Sequence, residues 1–275
     1  MSGLVECPLA AAARDNPASD ALVHAGVTLD YARLDAMVRR MSSALRARGL
    51  SAGQRIAVLA NNGAGVVLLV HAAARARLPL VLLNARLTAA ELAPQLALSR
   101  PALVVADASM RDRASGPAMT IDELTREASR SLPFEGPATI DPEVPHTVLF
   151  TSGTEGRPKA AVLAAGAHLA SARASNALLS FDRSGRYLCT LPLFHVGGLS
   201  IVVRCALAGA ALLLEERFDA QVAARALGAG ATHASMVAAT LARTLDARGA
   251  APFPGTVRAV LIGGGPTPPA LLARA

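Results

Sequence analysis

Apolar residues in this chain fall into two alternating kinds of run. Short unbroken blocks such as Ile56-Ala57-Val58-Leu59 leave no polar position to face water, so they read as strands covered on both sides. Between them lie longer stretches with apolar residues three and four apart, the period of a helix with one buried stripe. Over residues 31–48 that stripe is Leu34, Met37, Val38, Met41 and Leu45, and Gly49 ends it. Just before it, runs at 21–23 and 27–29 split by Ala25-Gly26 predict a short hairpin. From Arg55 onward the pattern predicts strand 56–59, helix 63–76, strand 80–83, helix 89–98 and strand 103–105. Residues 109–145 are richer in Pro, Ser and charge, and read as a surface excursion holding one short helix over 121–129.

Strand-like runs at 148–150 and 160–163 flank a polar loop, and a second series follows: helix 165–179, strand 187–190, a helix leading to strand 211–214, helix 220–227, strand 232–236, helix 237–247 and strand 257–262. Unbroken strands alternating with helices predict an α/β fold of two layered, mainly parallel sheets with covering helices. The two series divide into one subdomain of about 52–190 carrying the polar loop, and a second built from about 20–50 and 190–275. The many Ala-Arg repeats hold no fixed spacing, so no solenoid is expected.

Composition narrows the function. A chain of 275 residues, 52% hydrophobic, can bury a large core. Its net charge of +7 comes from scattered arginines, and with aromatics at 3% and no Trp it offers few stacking platforms, so nucleic acid is not the expected partner. Cys7, Cys189 and Cys205 lack metal-ligand spacing and read as buried free thiols of a cytoplasmic protein, with no metal ligands among them. Residues 1–13 have neither the basic start nor the apolar centre of a signal peptide. The longest apolar stretch, 196–214, holds Arg204 near its middle, which in a bilayer would cost about 2.5–3.5 kcal/mol. It reads as a buried helix and a strand, with no membrane span.

The chemistry gathers in the loop Thr151-Ser152-Gly153-Thr154-Glu155-Gly156-Arg157-Pro158-Lys159. Its glycines let backbone N–H groups turn toward an anion, and three hydroxyls add donors. The chain holds 26 Arg and one Lys, and that Lys is Lys159. A compact, mobile ammonium suits a phosphate or carboxylate where a forked guanidinium is no substitute. A Walker A loop is ruled out, because Pro158 precedes the Lys, Ala160 follows it, and Gly153 to Gly156 is too short a span. Taken alone, the segment also fits a polar turn between two strands.

Two further motifs follow. Leu191-Pro192-Leu193-Phe194-His195-Val196-Gly197-Gly198 takes a strand end through Pro into an aromatic-His pair that opens a helix. A lone histidine there is more often a satisfied core residue than a ligand, as His71 and His233 are read. In Val260-Leu261-Ile262-Gly263-Gly264-Gly265-Pro266 a buried strand empties into three glycines, which suits either close approach of a flat ring or a flexible turn.

In this order the three motifs resemble the adenylate-forming, AMP-binding superfamily of acyl-CoA synthetases, peptide-synthetase adenylation domains and luciferases, whose loop consensus is Thr-Ser-Gly-Thr-x-Gly-x-Pro-Lys. The likeness runs from about Ala21 to the last residue. It implies an acid-CoA ligase that uses ATP, Mg²⁺ and CoA: a carboxylate attacks the α-phosphate and releases pyrophosphate, then the CoA thiol displaces AMP. It further implies that Thr151, Ser152, Gly153, Thr154, Glu155 and Gly156 hold phosphate and that Lys159 and His195 serve the reaction. Gly263, Gly264, Gly265 and Pro266 would flank the adenine. Lys159-Ala160-Ala161-Val162, Ala167-His168-Leu169 and Thr232-His233-Ala234-Ser235 are similar to the o-succinylbenzoate-CoA ligases of menaquinone biosynthesis, and a ligase for another aryl or fatty acid is the alternative. The superfamily's later Tyr-Gly-x-Thr-Glu motif, ribose Asp and C-terminal domain have no counterpart here. The expectation is therefore a partial N-terminal adenylation domain, completed by a C-terminal portion or a homo-oligomer, or else a nucleotide-binding remnant without turnover.

Overall fold

The computed structural model describes residues 3–114, 118–136, 138–152 and 158–275. A short strand β1 (Val5–Glu6) and helix α1 (Pro8–Asp15) precede the hairpin of β2 (Asp20–His24) and β3 (Val27–Asp30). Ala25 and Gly26 at its tip both have positive φ, 49° and 77°, as a turn that matches strand twist requires. Helix α2 (Tyr31–Ala47) begins where the Asp30 carboxylate accepts from Arg33 N at 2.7 Å.

Strand and helix then alternate through β4 (Ile56–Leu59), α3 (Ala64–Ala76), β5 (Leu80–Leu82), α4 (Ala89–Ser99), β6 (Leu103–Ala106), β7 (Ala118–Thr120), α5 (Ile121–Arg130), β8 (Thr139–Ile140), β9 (Pro145–Ser152) and β10 (Pro158–Ala164). Capping boxes at Thr88/Glu91 and Thr120/Glu123 start α4 and α5. The second series comprises α6 (Ala165–Leu178), β11 (Arg186–Cys189), α7 (Val196–Ala208), β12 (Ala211–Leu214), α8 (Ala220–Gly228), β13 (His233–Val237), α9 (Ala238–Arg248), β14 (Ala259–Gly263) and α10 (Pro269–Arg274).

These strands form two six-stranded sheets, ordered β10-β9-β5-β4-β6-β7 and β14-β13-β11-β12-β2-β3, while β1 pairs with β8. Each large sheet is parallel but for one antiparallel edge strand, β10 in the first and β3 in the second. The strand expected at 187–190 as part of the first subdomain pairs instead with β12 and β13 of the second sheet. The chain leaves the first sheet earlier, through β10 and α6. Within the supposed surface excursion, Ala118–Thr120 adds β7 to the edge of the first sheet beside β6.

Strand alternation sorts the apolar side chains into three layers. Ile56, Val58, Leu80, Leu82, Leu103 and Val105 face a central core that also receives Tyr187, Cys189, Leu212 and Leu214 from the other sheet. Helices α1, α2, α3, α6 and α7 fill the space between the sheets, contributing Leu9, Val38, Leu69, Leu169 and Ile201 among others. The opposite faces are covered from outside: Ala57, Leu59, Val81 and Val104 by α4, and Leu188, Ala234 and Met236 by α8 and α9. Each fully buried Leu, Ile or Val in these layers stabilises the fold by about 1.5–3 kcal/mol. Arg204 lies buried in α7, its Nη1 donating to the Tyr187 hydroxyl at 3.3 Å. Among the described residues no helix is long and apolar enough to cross a membrane, and all three cysteines are buried and free.

Candidate active site

The polar loop joins β9 to β10, a hairpin whose first strand runs parallel to β5 and whose second returns along the sheet edge. Cross-strand pairing sets Lys159 opposite Thr151 and Pro158 opposite Ser152, so Lys159 and Thr151 share one face at the open end of the ladder. Both side chains are exposed. Gly153, Thr154, Glu155, Gly156 and Arg157 lie outside the described residues, and of Ser152 only the backbone is described. Because β9 runs parallel to β5, this loop leaves the sheet at its carboxyl end, where open α/β sheets bind ligands.

The turn at 191–198 lies beyond the carboxyl end of β11. His195 caps α7 with extended backbone; its N–H donates to Pro192 O at 3.1 Å and its C=O accepts from Leu199 N at 3.0 Å. A Cβ on Gly198 would stand 2.3 Å from Pro192 O and 2.7 Å from Leu191 O, so glycine is required there for close backbone approach. The Phe194 and His195 rings lie 4.6 Å apart. Phe194 packs on the outer core of the first sheet, as does Phe150, which precedes Thr151. This contact lays a turn from the second sheet against the sheet that carries the polar loop. His195 reaches solvent, yet its ring's partial burial, followed by the charge of Arg86, holds its pKa below the ordinary imidazole value. At neutral pH it is an uncharged ring able to donate one hydrogen bond and accept another.

Asn62, which follows β4, was not singled out from the sequence. It is buried, and its Nδ2 donates to Leu191 O and to Glu215 O, each at 3.0 Å, while Oδ1 accepts from Leu193 N at 2.8 Å. One side chain from the first sheet thereby satisfies three backbone groups past the ends of β11 and β12. The carboxyl ends of the two sheets consequently adjoin. Beside it, Asp107 beyond β6 accepts from Asn61 N at 2.8 Å; burial, and after it the charges of Glu216 and Asp122, push its carboxyl pKa up.

The glycine-rich end of β14 lies next to β13 in register, Gly263 beside Val237. Gly263, Gly264, Gly265 and Pro266 are all exposed. Only Gly264 has positive φ, 83°, and a Cβ there would come 3.2 Å from Val237 Cγ1. For Gly263 and Gly265 a Cβ would meet nothing within 4 Å, so their glycines leave an open surface at the strand end.

His233 is a satisfied core residue, bonded to Thr232 Oγ1 at 2.8 Å and Leu179 O at 3.0 Å. His71 is buried beside a cavity of about 30 Å³ that His146, His168 and Cys7 also line. Among the described residues no group of three His, Cys, Asp or Glu side chains converges to hold a metal ion.

Comparison with known proteins places this geometry. The chain is 33% identical over 225 residues to the 2-succinylbenzoate-CoA ligase of Bacillus cereus (strain ATCC 14579), matching 82% of this chain and 46% of that protein. The o-succinylbenzoate CoA synthetase (MenE) from Bacillus subtilis in complex with the acyl-adenylate intermediate OSB-AMP superimposes with a TM-score of 0.91 at 30% identity, covering 98% of this chain and 56% of that one. The same Bacillus subtilis enzyme in complex with ATP and magnesium ion gives a TM-score of 0.89 at 29% identity, covering 98% and 57%. The chain thus spans about half the length of the curated relatives it matches. The family model of the AMP-binding enzymes matches residues 9–275, and the chain belongs to that family.

Proposed function

We propose that the cleft at the carboxyl ends of the two sheets binds ATP and a carboxylic acid and joins them as an acyl-adenylate, the first half of an acid-CoA ligase reaction. The observation that carries the reading is the juxtaposition through Asn62 and Phe194: a hairpin with exposed Thr151 and Lys159 on one sheet beside the His195 turn on the other. Lys159 and the loop Thr151, Ser152, Gly153, Thr154, Glu155 and Gly156 receive the β- and γ-phosphates. Gly263, Gly264, Gly265 and Pro266 leave room for the adenine. His195 orients the acid by hydrogen bonding, and Mg²⁺ arrives on the nucleotide's phosphates.

Little covalent work falls to the protein, whose contribution is positioning and charge neutralisation. A carboxylate oxygen forms a bond to the α-phosphorus as the bond to pyrophosphate breaks; the CoA sulfur then bonds to the acyl carbon as AMP leaves and the thiol proton is lost. The acid proposed is o-succinylbenzoate, and the pathway menaquinone biosynthesis, supported by the likeness to ligases of that name. The chain is read as part of an N-terminal adenylation domain whose two sheets form its two subdomains.

Ligand-observed NMR tests this with ATP, o-succinylbenzoate and a hydrolysis-resistant o-succinylbenzoyl-adenylate mimic. The mimic is expected to bind and to displace both smaller ligands, and palmitate is expected not to compete. A mimic that displaces neither would overturn the reading; palmitate displacing o-succinylbenzoate would overturn the choice of acid.

A further inference from the structure

We propose that Asn62 is a positioning residue for the acid half of the site, fixing His195 on the second sheet relative to the hairpin on the first; this rests on the function proposed above. Its carboxamide grips the backbone on both sides of Pro192, through Leu191 O at 3.0 Å and Leu193 N at 2.8 Å. Pro192 O in turn accepts from His195 N at 3.1 Å. Three consecutive residues are therefore held at both ends by one side chain, and His195 hangs directly from the middle one.

The third bond, to Glu215 O, ties the same carboxamide to the end of β12, so the turn cannot drift along the sheet without breaking a second contact. Asn62 itself is rigidly mounted, 6% exposed, between β4 and the start of α3. An amide is the one small side chain that can donate twice and accept once in this arrangement; Asp would set an oxygen against two carbonyls, and Ser is too short. The three groups it satisfies belong to residues 129 to 153 positions later in the chain, so the residue serves no local turn. Its place explains how two sheets built from separate stretches present one site.

The test needs no turnover. In protein labelled on its histidine rings, the His195 signal is identified by its loss in His195→Gln and followed through a pH titration in wild type, Asn62→Ala and Asn62→Ser. Release of the turn is expected to move the His195 ring signal and raise its midpoint toward the ordinary imidazole value, while the His233 signal stays in place. Asn62→Ser, which is neutral and small but too short to hold Leu191 O, Leu193 N and Glu215 O together, serves if Asn62→Ala does not fold. In the same variants the o-succinylbenzoyl-adenylate mimic is expected to bind about tenfold more weakly and ATP within about twofold of wild type, as loss of one buried hydrogen-bonding side chain allows. An unmoved His195 signal in a folded Asn62 variant would overturn the proposal. Absence of mimic binding in wild type would sink the functional reading alone, because the ring signal still reports whether Asn62 sets the turn.

Discussion

The two motifs at the carboxyl ends of the sheets are held in opposite ways. Of the hairpin β9–β10, the described part of β10 is an exposed edge: Lys159, Ala160 and Ala161 are exposed and Val162 is 53% exposed. The Leu191–Gly198 turn is clamped by Asn62, closed by backbone contacts at Gly198 and anchored by Phe194. An exposed lysine on a sheet edge is free to meet a ligand in solvent, whereas a turn clamped on three sides presents its histidine in one place. Substitutions at the first should cost binding without stability, and at the second both together.

At its root the hairpin is as buried as the turn, and there the comparison is broken by acid. His146 opens β9 with Nε2 on Val70 O at 3.0 Å, and His168 in α6 meets Thr147 Oγ1 at 2.7 Å. Burial is the main cause lowering the pKa of all three cavity histidines, to about 3 for His71 and about 4 for His168. For His71 the Arg75 charge adds to this and Asp35 opposes it; for His168 the charge of His146 adds. Rings with lowered folded pKa values bind fewer protons than the unfolded chain, so stability is complete above pH 6.5 and falls as pH drops toward 4 and then 3. At pH 5 the loss should be roughly 2 kcal/mol for each of His71 and His168, read from urea midpoints between pH 5 and 8. A flat profile would show the rings to be reached by water.

Gly198→Ala should destabilise by about 3 kcal/mol, because the new methyl meets Leu191 O, which Asn62 holds, and Pro192 O, which accepts from His195 N. Gly197→Ala, whose methyl would stand 3.4 Å from Leu191 Cδ1, should cost far less by the same urea titration. Thr147→Val keeps the shape at the hairpin root but strips the His168 ring of its partner, for an expected loss of about 1–2 kcal/mol in thermal or urea melts. Lys159→Ala should shift stability by less than about 0.5 kcal/mol, since an exposed strand-end Lys supports no core. A clear drop in melting temperature there would mean that Lys159 supports the fold after all.

Much of the framework was legible because its signals are local. The stripe from Leu34 to Leu45 made α2, Ala25-Gly26 made the hairpin tip, and the unbroken blocks at 56–59, 80–83 and 103–105 lie side by side in the first sheet. Strand type did not reveal sheet membership: Tyr187-Leu188-Cys189 reads the same in either sheet, and its partners are chosen by where α6 delivers the chain. Ala118-Met119-Thr120 is too short to stand out from its polar surroundings. Asn62 carried no local signal because every bond it makes is to the far half of the sequence. Nothing in the sequence joins His146 to His168; the fold sets their rings 5.4 Å apart.

The central claim is that the hairpin and the turn divide the two reactants between them, the triphosphate tail of ATP to one and the acid to the other, and a crossed calorimetric titration tests it most directly. Wild type, Lys159→Ala and His195→Ala are each titrated with ATP and with the o-succinylbenzoyl-adenylate mimic, which lacks the β- and γ-phosphates. Loss of Lys159 should weaken ATP about tenfold and leave the mimic nearly unchanged, and loss of His195 should do the reverse. If both variants weakened both ligands alike, or neither weakened either, the two motifs would not divide the reactants between them and the central claim would be contradicted.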